Sequence, residues 1–218
     1  MYSLLNKIKS PLVSLLIVTT IGVINFDFIE SFRLRYFDII ITEVPREVEP
    51  SQIVSVNIGE DTIARLGQFP FPRNEYAQII ETVYRSGASF VVFNIAMTEP
   101  DRFGQDEFLA AALEGMPVVL PYLVGNSEYT PEPIGVSMIG DVDPNTVVPR
   151  FPGIIPNVEP IQSAAYGKGI SVTVPELDGV VRRLPMVISV KGSLYPSIVL
   201  ETLRVVVGDP SFQIKTNL

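Results

Sequence analysis

With neither a cysteine nor a histidine among its 218 residues, this sequence leaves chemistry to carboxylates and arginines. Thiolate nucleophiles and Cys-based metal sites are excluded, as are the commonest general base and the commonest transition-metal ligand. Three groups of charged residues stand out. Glu60, Asp61, Glu99, Asp101 and Asp106 follow two strand-like runs, and loops at the carboxyl ends of an open parallel sheet are where ligands bind. Asp101 and Asp106 are five apart, without the D-x-D-x-D density of a calcium loop. A solvated rim with helix caps is the plain reading of this group; a hard-metal site is the sharper one.

The second group is Asp178-Gly179 followed by Arg182-Arg183. Asp-Gly marks a turn. Successive strand residues face opposite ways, so one arginine points inward, either to an internal partner or to an anionic ligand. The third is Arg73, at the end of LGQFPFPR (66–73), where Phe69 and Phe71 alternate with Pro70 and Pro72. The prolines fix φ and keep the aromatics extended; the two rings then point in opposite directions, and at least one plugs the end of a sheet. Arg73 is placed to pair with Asp61, Asp101 or Asp178, or to contact an anionic ligand. The candidate ligand-binding residues are therefore Asp61, Arg73, Asp101, Asp178 and Arg182, with no metal ligands and no cofactor expected. There is no nucleophile elbow, P-loop or dinucleotide fingerprint, so the chain is not expected to be an enzyme.

Hydrophobic residues make up 47% and mean hydropathy is +0.33, which excludes disorder and points to a membrane contribution. The net charge of -8, from 16 basic and 24 acidic residues, argues against a nucleic-acid partner. Residues 11–24, PLVSLLIVTTIGVI, are uncharged and follow Lys7 and Lys9. A spanning helix needs about 20 apolar residues, about 17 at the least. Residues 11–27 are thus expected to be a short transmembrane anchor, with residues 1–10 cytoplasmic and the rest outside. A cleaved signal peptide has the same basic start and apolar core, although NFDFIESF rather than an A-x-A-like site follows. A buried helix of a soluble protein is the third option. The first two export the domain, and the expectation is a single-pass inner-membrane protein with its bulk periplasmic.

These charges need elements to position them. Residues 28–50 read as an amphipathic helix and a linker. QIVSVNI (52–58) is an apolar strand-like run, EDTIARLG a short helix, and 74–85 a helix with apolar residues at helical spacing. SFVVFNIAM (89–97) is a second strand, QDEFLAAALEG a helix, and MPVVLPYLV (116–124) a third strand. Strand and helix in alternation with short loops imply a parallel sheet with right-handed crossovers. Residues 125–168 are a proline- and glycine-rich excursion. KGISVTV (168–174) and GVVRRLPMVISVKG (179–192) read as two strands joined by a hairpin through PELDG. YPSIVLETLRVVVG is a last helix, and 211–218 a tail. The expected fold is α/β: a parallel-rich sheet with flanking helices and a C-terminal β-hairpin and helix, preceded by the transmembrane helix.

VSVNIGEDTIARLGQFPFPRNEYAQIIETVYRSGASFVVFNIAMTEPD, then DEFLAAAL, VVLP, LDGVVRRLP and YPSIVLETL, resemble the CHASE2 domain, the extracytoplasmic sensor part of bacterial membrane receptors. The resemblance covers about residues 30–208, and residues 51–210 are taken as the CHASE2-like domain. It departs at Asn57 and Asn94, where the family carries acids, and at Phe69, where it carries tryptophan. Loss of those acids weakens the case for a charge-dependent ligand or metal at that strand end. The resemblance implies a domain that binds a small molecule or protein outside and relays a signal through the membrane helix, working as a homodimer or within a larger receptor. Family members continue into further transmembrane helices and a cyclase, kinase or diguanylate-cyclase output, which do not occur by Leu218. A non-signalling accessory protein that docks onto a partner, and a sensor half of a longer receptor, are the competing expectations.

Overall fold

The computed structural model describes residues 11–20, 27–45 and 52–216. These fall into two units, Met1–Val56 with Pro175–Arg182, and Asn57–Val174 with Arg183–Leu218.

In the first unit residues 11–20 are helical (α1), and α2 spans Asp27–Glu43. Residues 21–26 of the expected anchor lie outside the described residues. Among the described residues no helix is long and apolar enough to cross a membrane. In α2, Leu34 is buried while Phe32, Tyr36, Phe37, Ile39 and Ile41 are exposed. The remaining piece of this unit is the turn at 175–182. Glu176 N–H donates to the Val180 carbonyl at 3.0 Å and Gly179 N–H to that of Glu176 at 2.9 Å. Gly179 has φ +80°, a conformation that side chains with a Cβ resist.

The second unit is built on a small sheet. Strand β2 (Val118–Val124) lies between β1 (Val91–Val92) and β6 (Gly167–Ile170), parallel to both, and its far end pairs antiparallel with β5 (Ile154–Ile155). Residues 118–122 are all buried, as expected of a parallel strand covered on both faces. Val118 and Leu120 join a core formed with α4 (Arg73–Arg85), α5 (Asp106–Leu113) and α6 (Glu159–Ala164). Val119 faces the other way, beside α7 (Ile198–Val207). That helix packs closely because β6 offers glycines: a Cβ on Gly167 would stand 2.8 Å from Glu201 Oε1, and one on Gly169 2.6 Å from Ile198 Cα.

Proline inside a strand removes a ladder donor. Near Pro121, buried Asn157 links two chain segments: its Nδ2 donates to the Pro121 carbonyl at 3.0 Å and its Oδ1 accepts from Met97 N–H at 2.8 Å. A short helix α3 (Glu60–Leu66) ends at Gly67 with φ +92°.

Several expected elements fall elsewhere. Residues 53–59 form no strand, and Ile53 and Val54 are 85% and 83% exposed. An apolar run marks where a strand can form, not which run a sheet accepts. The strand at 89–97 shrinks to two residues. The long excursion contributes β3 (Gly135–Gly140), β4 (Arg150–Phe151), β5 and α6. No strand lies within 171–186. The hairpin joins β7 (Val187–Val190) to β8 (Ser193–Pro196) through Lys191-Gly192, both at positive φ as a tight hairpin turn requires. The expected tail is β9 (Ser211–Thr216), paired in parallel with β3.

Candidate functional site

In the aromatic corner the alternation works as its spacing implies: Phe71 is 1% exposed and Phe69 44%. Phe71 N–H donates to the Tyr76 hydroxyl at 3.0 Å, and the Tyr76 ring meets Phe93 edge-on. Arg73, the first residue of α4, is 5% exposed. Its Nε donates to Asp106 Oδ1 at 3.0 Å and its Nη2 to the Glu99 carbonyl at 2.9 Å. Asp106 Oδ2 accepts from Asp101 N–H at 2.8 Å, and Asp101 Oδ2 from Gln105 N–H at 3.1 Å. The Gln105 side chain closes the ring by accepting from Asn74 N–H at 3.2 Å.

This ring stitches the 99–106 loop to the start of α4. The partner of Arg73 is Asp106, not Asp61, Asp101 or Asp178, because α5 begins at Asp106 and presents its carboxylate there. The Asp101 side chain turns back onto Gln105 N–H, the residue before α5. Asp61 lies exposed on α3 and pairs with none of the others.

The first unit contains the other pair. Arg182 Nε and Nη2 grip Asp38 at 2.8 and 2.6 Å. Its Nη1 reaches Glu176 at 3.1 Å and Asp178 at 2.9 Å, and Nη2 also reaches Asp178 at 2.6 Å. A guanidinium has five N–H groups, and each of them has an acceptor here. Arg182 is thus engaged by internal partners throughout. Hydrogen bonds from Arg182 hold the Asp178 carboxyl down at about 2 and lower that of Asp38, while the carboxylates raise Arg182.

A concavity that could take a ligand lies in the second unit and involves none of the five candidates. It is a cavity of about 170 Å³ between the edge of β6, the chain at 131–134, β8 and α7. Tyr122, Tyr166 and Tyr195 supply aromatic wall; Lys168, Glu201 and Arg204 supply charge. Glu201 is 1% exposed. It accepts from Arg204 Nε and Nη2 at 2.8 Å each and from Lys168 N–H at 3.3 Å. Lys168 Nζ donates to the Gln162 carbonyl at 3.0 Å, and burial lowers its pKa. Tyr122 accepts from Gln162 Nε2 at 2.6 Å; burial pushes its hydroxyl far up.

Two signals in the sequence mark this place: a glutamate in the apolar run IVLETLRVVV, three residues before an arginine, and the glycines flanking Lys168. Among the described residues no cluster of acidic side chains is arranged to hold a metal ion.

The sequence matches the family model of the CHASE2 domain over residues 12–217. No curated protein and no solved structure matches it.

Proposed function

The chain belongs to the CHASE2 domain family, a family of extracytoplasmic sensor domains, and from that premise we propose that it is a membrane-anchored sensor that relays ligand binding across the membrane. The family match over nearly the whole chain carries this reading. The apolar run at 11–27 is the anchor, with Lys7 and Lys9 on the cytoplasmic side. Within the first unit, Asp38 on α2 is fastened to the 176–182 turn by Arg182, so the helix that follows the anchor and this turn move as one piece. The cavity beside α7 is the ligand site. A ligand shifts such a sensor only by binding its two states with different affinity. The receptor works as a homodimer or within a larger assembly.

The absence of cysteine from the chain makes the placement directly testable. Single substitutions Ser3→Cys and Asp141→Cys are introduced separately, and a membrane-impermeant maleimide is applied to spheroplasts. Labelling of Asp141→Cys before lysis, and of Ser3→Cys only after it, is expected. Protection of Asp141→Cys in intact spheroplasts overturns the extracytoplasmic placement and the relay with it.

A further inference from the structure

We propose that the outward face of α2 pairs with α2 of a second copy of this chain, the two helices running parallel as they leave the membrane. This rests on the membrane-anchored reading and gives the homodimer its contact surface. Three observations carry it.

The first is where the apolar residues sit. At about 100° per residue, Ile29, Phe32, Tyr36, Ile39 and Ile40 fall on one face of α2, and all are 43–66% exposed. The opposite face carries Leu34, which is buried, and Asp38, which Arg182 grips. The helix is fastened to its own unit by one side and presents large apolar side chains on the other.

The second is register. Ile29, Phe32, Tyr36 and Ile39 are spaced three, four and three apart, the a/d spacing by which one helix interlocks with another of the same repeat. An identical helix supplies that repeat, whereas a bilayer surface calls for none. Glu30, Arg33, Arg35 and Asp38 interrupt α2 and keep it out of the hydrocarbon.

The third is charge. A chain of net charge -8 repels its copy unless the surfaces that meet are uncharged, and none of the four seam positions carries a charge. Arg33 and Arg35 flank the seam. Arg33 is paired with Glu30 on its own helix. In a parallel pair Arg35, at a g position, faces position 40 of the copy, an isoleucine. Glu43 falls on the next a position and ends the seam where α2 itself ends.

Five side chains fall short of the about 20–30 residues a side of a stable interface, so the pair depends on the anchors. The uncharged run 11–24 ends just before α2 begins. Two anchors in one membrane hold both helices in the same direction and raise their effective concentration.

Because the chain has no cysteine, single thiols report the contact. Ile29→Cys, Tyr36→Cys and Ile39→Cys lie on the seam; Ile41→Cys is exposed on the side away from it. Each is oxidised with copper phenanthroline in native membranes holding the full chain. A disulfide needs Cα atoms within about 7 Å, so the seam thiols are expected to form covalent dimers on the order of tenfold faster than Ile41→Cys. Ile39→Asp, an exposed position, is expected to abolish the dimer when combined with Tyr36→Cys. Dimers at Ile41→Cys as fast as at Tyr36→Cys overturn the seam. Dimers at Tyr36→Cys without those at Ile29→Cys and Ile39→Cys overturn the parallel order. No dimer at any position overturns the pairing, and quenching of a bimane on the Tyr36→Cys thiol by spin-labelled lipid then gives the face to the bilayer. The maleimide labelling of Asp141→Cys reports the side of the membrane whether or not the chain pairs, so the two failures are distinguishable.

Discussion

Replacing Arg73 by alanine tests whether the corner is a structural clamp or a ligand contact. The Arg73 and Asp106 side chains are 7% and 15% exposed, which places the pair with buried ion pairs rather than with exposed ones. Removing one partner of a buried pair costs about 3–5 kcal/mol, because a charge is stranded away from water; an exposed pair is worth about 0–1 kcal/mol. Asp106 keeps its bond from Asp101 N–H in the variant, so the low end, about 3 kcal/mol, is expected. At about 2–4 °C per kcal/mol for a domain of this size, that is a fall of roughly 6–12 °C in Tm. Arg73→Lys loses much of this too, since one ammonium cannot reproduce the fork that reaches both Asp106 and the Glu99 carbonyl. Circular dichroism melts of wild type, Arg73→Ala, Asp106→Asn and the double variant form a double-mutant cycle. A coupling energy under about 0.5 kcal/mol, the level of an exposed pair, refutes the clamp.

Two further outcomes follow from the same geometry. In Gly169→Ala the new Cβ meets only backbone, 2.6 and 2.7 Å from Ile198 Cα and N and 2.8 Å from the Ser197 carbonyl. Nothing flexible can yield, so α7 is pushed off β6 and about 1–3 kcal/mol is lost, read as a lower urea midpoint with unchanged slope; Gly135→Ala, whose nearest neighbour is at 3.4 Å, stays within about 0.5 kcal/mol. The Arg182 cluster is expected to release in acid: Asp178 titrates at about 2 when folded against an ordinary 3.8, so its contribution is complete above the ordinary value and disappears as pH falls through about 2. Pepsin digestion across that window reads it as new cleavage within 175–182, and cleavage already present at pH 4 to the same extent counts against the clamp.

What the sequence determined by itself is local. The helical spacing of Tyr76, Ile80 and Val83, the glycine after Leu66, and the apolar run VVLPY each specify an element through periodicity and backbone preference, and α4, α3 and β2 form where those signals stand. The alternation in FPFP likewise decided that one aromatic is buried and the other not, and the family resemblance was legible in the order of short motifs. Tertiary structure decided the pairings. QIVSVNI has the composition of a strand yet forms none, because a strand needs a partner edge from elsewhere in the chain as well as a suitable run. Beside the nearby Glu176 and Asp178, Arg182 grips Asp38, 144 positions away, and the partner of Arg73 is one aspartate among several of equal chemistry. The cavity lies where chain segments 122, 131–134, 166–168 and 195–204 converge. Charge type and spacing constrain what a side chain can bind within a few residues of itself; which distant group reaches it first is set by the packing of helices on the sheet, and that is a property of the folded chain alone.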